Sequence, residues 1–199
     1  AEITTTRKQL AVFNRTVVQI PNYQDLLRHA ANSGAIATHP AAHLDLVRPG
    51  LMAYGYNTAK PQGSTISVKP IMKLSTRIVF LKKVPVGTWL SYGLTFRTKR
   101  ATFIATLPVG YGDGYLRTFS NKSQVLIRGR RYPVVGSICM NQCLVDIGPE
   151  HNIKLYDEAV LFGPDSAGPN AAELATIAGT VTHEITSCIA TRVPRIYSY

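Results

Sequence analysis

From residue 66 onward the chain is a series of short apolar runs cut by glycine, and that rhythm leaves it few ways to fold. Residues 66–81, 89–96, 101–108, 124–128, 132–135, 143–147 and 158–162 have the length and composition of strands. Gly87, Gly110, Gly129, Gly136, Gly148 and Gly163 punctuate them. Strands at this spacing predict a compact β-barrel or β-sandwich. One helix is expected at 170–179, with Asn170 as cap and Glu173 placed for a capping box. Residues 182–190 read as helix or strand.

The first quarter has a different grammar. Residues 4–19 carry Leu10, Phe13, Val17 and Ile20 at helical spacing, with a threonine cap at one end and Pro21-Asn22 at the other. A short strand is expected at 26–31, running into a loop at Asn32-Ser33-Gly34. A helical turn follows at Pro40-Ala41-Ala42, and an apolar strand at 51–56. Alternating helix and strand suits the end of an α/β domain. Residues 57–65, NTAKPQGST, read as a linker. The expected division is therefore 1–56, linker 57–65, and 66–199.

Composition narrows the class. With 45% hydrophobic and 17% charged residues the 199-residue chain is expected to be globular. No apolar run approaches the about 20 residues that span a bilayer, so no membrane association is expected. The first residue is Ala1, not Met, which suits an end made by processing, and no signal-peptide core follows it. Cys139, Cys143 and Cys188 lack metal-site spacing; an odd number without a secretion signal suits a reducing compartment. The net charge of +11 makes nucleic acid a partner to weigh. The Lys and Arg residues are scattered and carry no aromatic-interleaved motif, which favours a solvated basic surface.

Five clusters can carry chemistry, each with a plainer reading beside it. His29-Ala30-Ala31-Asn32-Ser33 could hold a phosphate through the Ser33 hydroxyl and free N–H groups, or be an ordinary turn. Val47-Arg48-Pro49-Gly50 could hold an anion or a ring nitrogen, or leave Arg48 on the surface. Ser91-Tyr92-Gly93 offers a phenol, whose ordinary pKa of about 10 demands cationic neighbours before it can act as a base, or a packed strand tyrosine. In Pro108-Val109-Gly110-Tyr111-Gly112-Asp113-Gly114-Tyr115-Leu116-Arg117, three glycines forbid a regular strand and display Tyr111 and Asp113. Its glycine spacing does not fit a dinucleotide-binding turn. Gly136-Ser137-Ile138-Cys139-Met140-Asn141-Gln142 taken alone is a strand with a polar end.

Taken together and in order, these clusters resemble alanine racemase. The matching residues are HAANS (29–33), DLVRPG (45–50), Tyr54-Gly55, Ser91-Tyr92-Gly93, LPVGYGDGY (107–115), Arg117, Val135-Gly136, CMNQ (139–142), Leu161-Phe162-Gly163, Glu184 and RVPR (192–195). They run from about residue 7 to the end. The resemblance implies a mainly β chain: a C-terminal β-barrel-like domain preceded by the last strand and helix elements of a (β/α)8 barrel. It implies a cytoplasmic, PLP-dependent enzyme that interconverts L- and D-alanine by two-base proton transfer and supplies D-alanine for cell-wall peptidoglycan. It also implies a head-to-tail homodimer, each active site joining one subunit's barrel to the other's β-domain, and no nucleic-acid partner.

The resemblance assigns roles by position. Ser33, Gly50 and Leu51 meet the PLP phosphate. Arg48 faces the pyridine nitrogen, with His29 hydrogen-bonded behind it. Tyr92 exchanges a proton on one face of the substrate Cα and the cofactor lysine does so on the other. The Met140 N–H meets the substrate carboxylate, while Tyr111 and Arg117 line the entrance. No metal is implied. The sequence departs from the family pattern at Asn141, where many members carry Asp, and at Ser137, where many carry Arg at the entrance. His183 stands where many carry a Tyr that contacts the phosphate, which leaves broad-spectrum or serine racemisation as the near alternative. A basic β-barrel that binds nucleic acid is the alternative of another class. No lysine here sits in the family's cofactor-lysine context, and the substrate-binding arginine of the barrel has no counterpart. The chain alone is therefore expected to be an inactive fragment that needs the missing N-terminal barrel segment.

Overall fold

A computed structural model describes residues 2–57 and 66–197, and the chain divides into two units, 1–69 and 70–199. Most of the expected linker, residues 58–65, lies outside the described residues.

The first unit opens with helix α1 (Glu2–Val17), which ends slightly before the expected boundary; Asn22, at φ 56°, turns the chain away. Strand β1 (His29–Asn32), helix α2 (Ser33–Thr38), strand β2 (Leu46–Arg48) and the single-turn helix α3 (Gly50–Ala53) follow. The strands are parallel, a pairing that needs a crossover between them, and α2 supplies it. Three expectations shift here. The strand starts at His29, because Arg28 is tied to Asp45 through its backbone N–H, its Nε and its Nη2. Residue 33 begins a helix and not a loop, because the Asn32 side chain accepts the Ala35 N–H and caps α2. Residues 51–56 form a helical turn and not a strand: Tyr54 and Tyr56 donate back to the Leu51 carbonyl, and Leu51 and Tyr56 are buried.

The second unit is built on seven antiparallel strands: β3 (Leu74–Arg77), β4 (Phe80–Val84), β7 (Thr102–Leu107), β8 (Gln124–Ile127), β9 (Arg130–Val135), β10 (Cys143–Gly148) and β11 (Glu158–Phe162). A ribbon of β5 (Trp89–Leu90) and β6 (Phe96–Arg97) interrupts them. The seven lie in the order β3-β11-β8-β9-β10-β7-β4. β3 and β4 are thus opposite edges of the sheet, yet only Ile78 and Val79 separate them in sequence. A flat sheet would set them about 29 Å apart, six gaps of about 4.8 Å, whereas two intervening residues span about 10 Å at most. The sheet therefore has to curl until its edges approach. Ile78 exchanges backbone hydrogen bonds with Tyr156 and Asp157 on the β11 side, while the Val79 N–H donates to Thr106 of β7. That split divides the single strand expected at 66–81.

Alternation fills the interior. Cys143, Val145 and Ile147 of β10 and Ala105 and Leu107 of β7 point inward with Val125, Ile127, Ala159 and Leu161. The expected strand 89–96 is instead the β5–β6 ribbon, with Ser91–Thr95 as its loop. Leu90 and Phe96 seat it on Val84, Ile104, Val135 and Leu144. Helix α4 (Ala171–Ala178) is capped by Asn170, whose side chain accepts two N–H groups. The capping box does not close, because the Glu173 carboxylate instead takes Arg131 in a two-pronged ion pair at 2.9 and 3.0 Å. Helix α5 (Thr182–Ser187) settles the segment that read either way. The three cysteines are free thiols; burial pushes Cys143 up to about 12.

Candidate functional site

In the first unit the parallel pair brings the ends of β1 and β2 side by side, and with them Ser33 and Gly50. The buried Ser33 hydroxyl accepts the Met52 N–H at 3.1 Å. A Cβ on Gly50 would stand 4.0 Å from that hydroxyl. The Gly50 and Leu51 N–H groups precede the first helical hydrogen bond and have no partner among the described residues. A hydroxyl beside two unpaired amides is a small anion cradle. Arg48 donates to the Ala30 carbonyl at 3.2 Å. This corrects the expected pairing, since no hydrogen bond joins Arg48 to His29, which is exposed. Asp45, the nearest carboxylate in sequence, is held by Arg28 at about 2, well below the usual carboxylate range.

In the second unit Tyr92 sits in the loop of the β5–β6 ribbon, 75% exposed, on a 3-10 turn (Tyr92–Leu94). It is neither packed nor on a strand. Ser91 has φ 62° and ψ 177°, a conformation that costs a non-glycine residue about 1–3 kcal/mol and persists only when its surroundings hold it. The Ser91 hydroxyl donates to the Ser137 carbonyl at 2.6 Å and the Ser137 hydroxyl donates to the Tyr92 carbonyl at 2.8 Å. Gly136 has φ 74°, and a Cβ there would come 2.7 Å from Ser91 Cβ. Ser91, Tyr92, Cys139, Gln142 and Leu144 line a cavity of about 270 Å³.

The glycine loop packs against the same segment. Tyr111 and Gly112 donate their N–H groups to the Cys139 and Met140 carbonyls at 3.1 and 2.9 Å. The Met140 N–H has no partner among the described residues, and Met140 is exposed. Asp113 turns the loop by accepting the Gly110 N–H at 3.0 Å, and its other oxygen takes Arg192 at 2.9 Å. Arg192 also reaches Asn141 at 3.2 Å, so it ties the two loops together. Sequence reasoning matched Arg192 and Asn141 to a pattern but missed this bridge, which joins residues 79 and 51 positions apart. Arg117 is exposed, and only its carbonyl serves the turn, accepting from Ser120. His183 is exposed on α5 with its ring unbonded among the described residues. Ser137, which stands where many members carry an entrance Arg, is buried and donates to the Tyr92 carbonyl.

The structure thus gathers Tyr92, Tyr111 and Met140 around the 136–142 segment, and separately Ser33, Gly50 and Leu51 around one hydroxyl. The profile of the alanine racemase C-terminal domain matches residues 71–197, and that of the N-terminal domain matches 1–58. The chain belongs to the alanine racemase family. It is 46% identical to the alanine racemase of Chlorobaculum tepidum over 85% of this chain and 44% of that protein. The crystal structure of alanine racemase from D-cycloserine-producing Streptomyces lavendulae superposes with a TM-score of 0.88, at 36% identity, covering 98% of this chain and 52% of that one. The Bartonella henselae alanine racemase, solved with covalently bound pyridoxal phosphate, gives 0.84 at 31% identity, covering 98% and 52%. The chain spans about half the length of these racemases. No described helix is long and apolar enough to cross a membrane.

Proposed function

We propose that this chain supplies the C-terminal part of a PLP-dependent alanine racemase: the proton-transfer tyrosine, the carboxylate contact and part of the phosphate site. The observation that carries this reading is the exposed Tyr92 on a locked turn, beside a segment whose Met140 N–H has no partner among the described residues. In this reading residues 1–56 are the last part of the PLP barrel, 57–65 the linker and 66–199 the β-domain.

The residues of the first unit fit the cofactor. Ser33 is buried, its hydroxyl accepts the Met52 N–H, and the Gly50 and Leu51 amides have no partner among the described residues. Ser33, Gly50 and Leu51 would hold the phosphate. When bound, PLP supplies an electron sink that makes the substrate Cα hydrogen acidic. Arg48, steadied by the Ala30 carbonyl, would meet the ring nitrogen; a guanidinium does not give up a proton, so it would leave that nitrogen unprotonated. His29 on β1 and His183 on α5 are the further residues this reading assigns to the cofactor. The Met140 N–H binds the substrate carboxylate and fixes Cα toward Tyr92, whose phenolic oxygen takes or returns the proton on one face. Tyr111 and Arg117 line the way in. Inversion requires a second base on the other face, and a lysine outside this chain provides it. The reading places the two half-sites in different subunits of a head-to-tail homodimer in the cytoplasm, serving D-alanine supply for the cell wall.

The test is turnover of L-Ala, D-Ala and L-Ser by the full-length parent with PLP, beside Tyr92→Phe. The expected result is alanine interconversion that the variant loses unequally in the two directions. Absence of turnover with either amino acid in the parent overturns the reading.

A further inference from the structure

The Ser91–Thr95 loop presents Tyr92, and the side chains of Tyr92 and Leu94 are exposed. Three of its residues, Ser91, Gly93 and Leu94, have φ of 62°, 74° and 48°. A loop with such a backbone and no core of its own needs outside anchors. Among the described residues they come from Asn121, Gly136, Ser137 and Cys139.

The hydrogen bonds there have a single direction. The Tyr92 carbonyl can only accept, so the Ser137 hydroxyl donates to it at 2.8 Å. That leaves the Ser137 oxygen to accept from the Thr95 hydroxyl at 3.3 Å. Thr95 in turn accepts from the Asn121 amide at 3.3 Å. The same Asn121 uses its oxygen to accept the Gly136 N–H at 2.6 Å. Each hydroxyl gives one bond and takes one, which aligns the chain of dipoles and strengthens it. The Ser137 carbonyl closes the other end by accepting Ser91 at 2.6 Å. Ser137 is 7% exposed, so water does not replace a missing partner freely.

We infer that Ser137 is a positioning residue that, relayed from Asn121 through Thr95, fixes the turn carrying Tyr92. The inference deepens the proposed racemase and rests on it for its catalytic consequence. A serine does this because its donor lies close to its own backbone, within reach of the neighbouring carbonyl. The arginine that the resemblance puts at this position in many members carries its donors at the end of a long stem.

The test uses the full-length parent carrying fluorotyrosine, with the Tyr92 signal assigned through Tyr92→Phe. Ser137→Ala is expected to shift and broaden the Tyr92 fluorine signal while the buried Tyr115 and Tyr132 signals stay in place. Ser137→Thr, which keeps the hydroxyl, restores it. Asn121→Asp, an exposed change that keeps the oxygen accepting the Gly136 N–H but puts a charged carboxylate oxygen in place of the amide donor, moves the Tyr92 signal in the same sense. Turnover of alanine by Ser137→Ala falls about tenfold or more with KM kept, since small misplacements of a reacting group cost that much. An unmoved Tyr92 signal in Ser137→Ala overturns the inference. If all three tyrosines move together in that variant, Asn121→Asp decides, and an unmoved Tyr92 signal there overturns it too. A Tyr92 signal that responds as expected, in a parent whose Tyr92→Phe variant racemises at the parental rate, upholds the positioning role and removes Tyr92 as the base.

Discussion

Gly110 and Gly129 are both glycines at bends, for opposite reasons, and replacing each by alanine separates those reasons. Gly110 has φ −152°, an extended backbone that any residue adopts. Only space forbids a side chain: a Cβ would lie 2.6 Å from the Met140 carbonyl oxygen and closer still to that of Cys139. To make room, the 139–140 backbone has to retreat from the glycine loop, which breaks the bonds it accepts from Tyr111 and Gly112. Two backbone hydrogen bonds at about 1 kcal/mol each, with about 1–3 kcal/mol for overpacking, give about 3–5 kcal/mol for Gly110→Ala. At about 2–4 °C per kcal/mol for a chain of this size, the loss in Tm is about 6–20 °C. Gly129 has φ 75°, and a methyl group there would meet nothing within 4 Å. Gly129→Ala therefore costs only the left-handed penalty, about 1–2 kcal/mol. Thermal and urea unfolding followed by circular dichroism measure both. Equal losses, or a larger one at Gly129, would refute the claim that the 139–140 carbonyls are packed hard against the glycine loop.

Further outcomes follow from the same reasoning. The buried Tyr115 hydroxyl pairs with Ser123 at 2.8 Å, and Ser123 also bonds the Phe119 carbonyl. Ser123→Ala orphans the phenol and costs about 1–3 kcal/mol in urea unfolding, more than Tyr115→Phe, which leaves Ser123 its second partner. Asp45 is held at about 2, against an ordinary value of 3.8, by its hydrogen bonds from Arg28. A carboxyl lowered on folding stabilises above its unfolded value and loses that contribution as pH falls through the folded one. An acid titration of stability should thus fall between pH about 4 and about 2 and be flatter in that window for Asp45→Asn; identical acid limbs would speak against the pair. Mass spectrometry after iodoacetamide treatment at pH 8 should find Cys139 modified long before Cys143, whose thiol is buried and shifted up to about 12.

How much of this was legible beforehand depended on how local the cause was. Alternating runs located β7 through β11 within a residue or two, since period-2 patterning reports a strand with one face buried. The Asn170 cap was legible because a cap and the amides it serves are neighbours in sequence. The Glu173 capping box was misread because Arg131, 42 positions away, competes for the same carboxylate. The helical turn at Gly50–Ala53 was misread as strand because a short apolar run carries no period, and the Ser33 hydroxyl that receives Met52 comes from another element. Of the site, the residue types and their order were readable. The role of Ser137 was not, because it lies in a hydrogen bond to a loop 45 positions earlier.

The sequence by itself determined the family, the β-rich character from residue 66 onward and the identity of the residues able to do chemistry, because each is written in contiguous motifs. Only the tertiary structure decided that the sheet curls, since that follows from Ile78 and Val79 joining strands that pairing sends to opposite edges. It alone decided that Tyr92 stands exposed on a braced turn, that Arg48 leans on Ala30 rather than His29, and that Arg192 ties Asp113 to Asn141. Each of these is a contact between residues distant along the chain, and no local pattern encodes which distant group wins a given hydrogen bond.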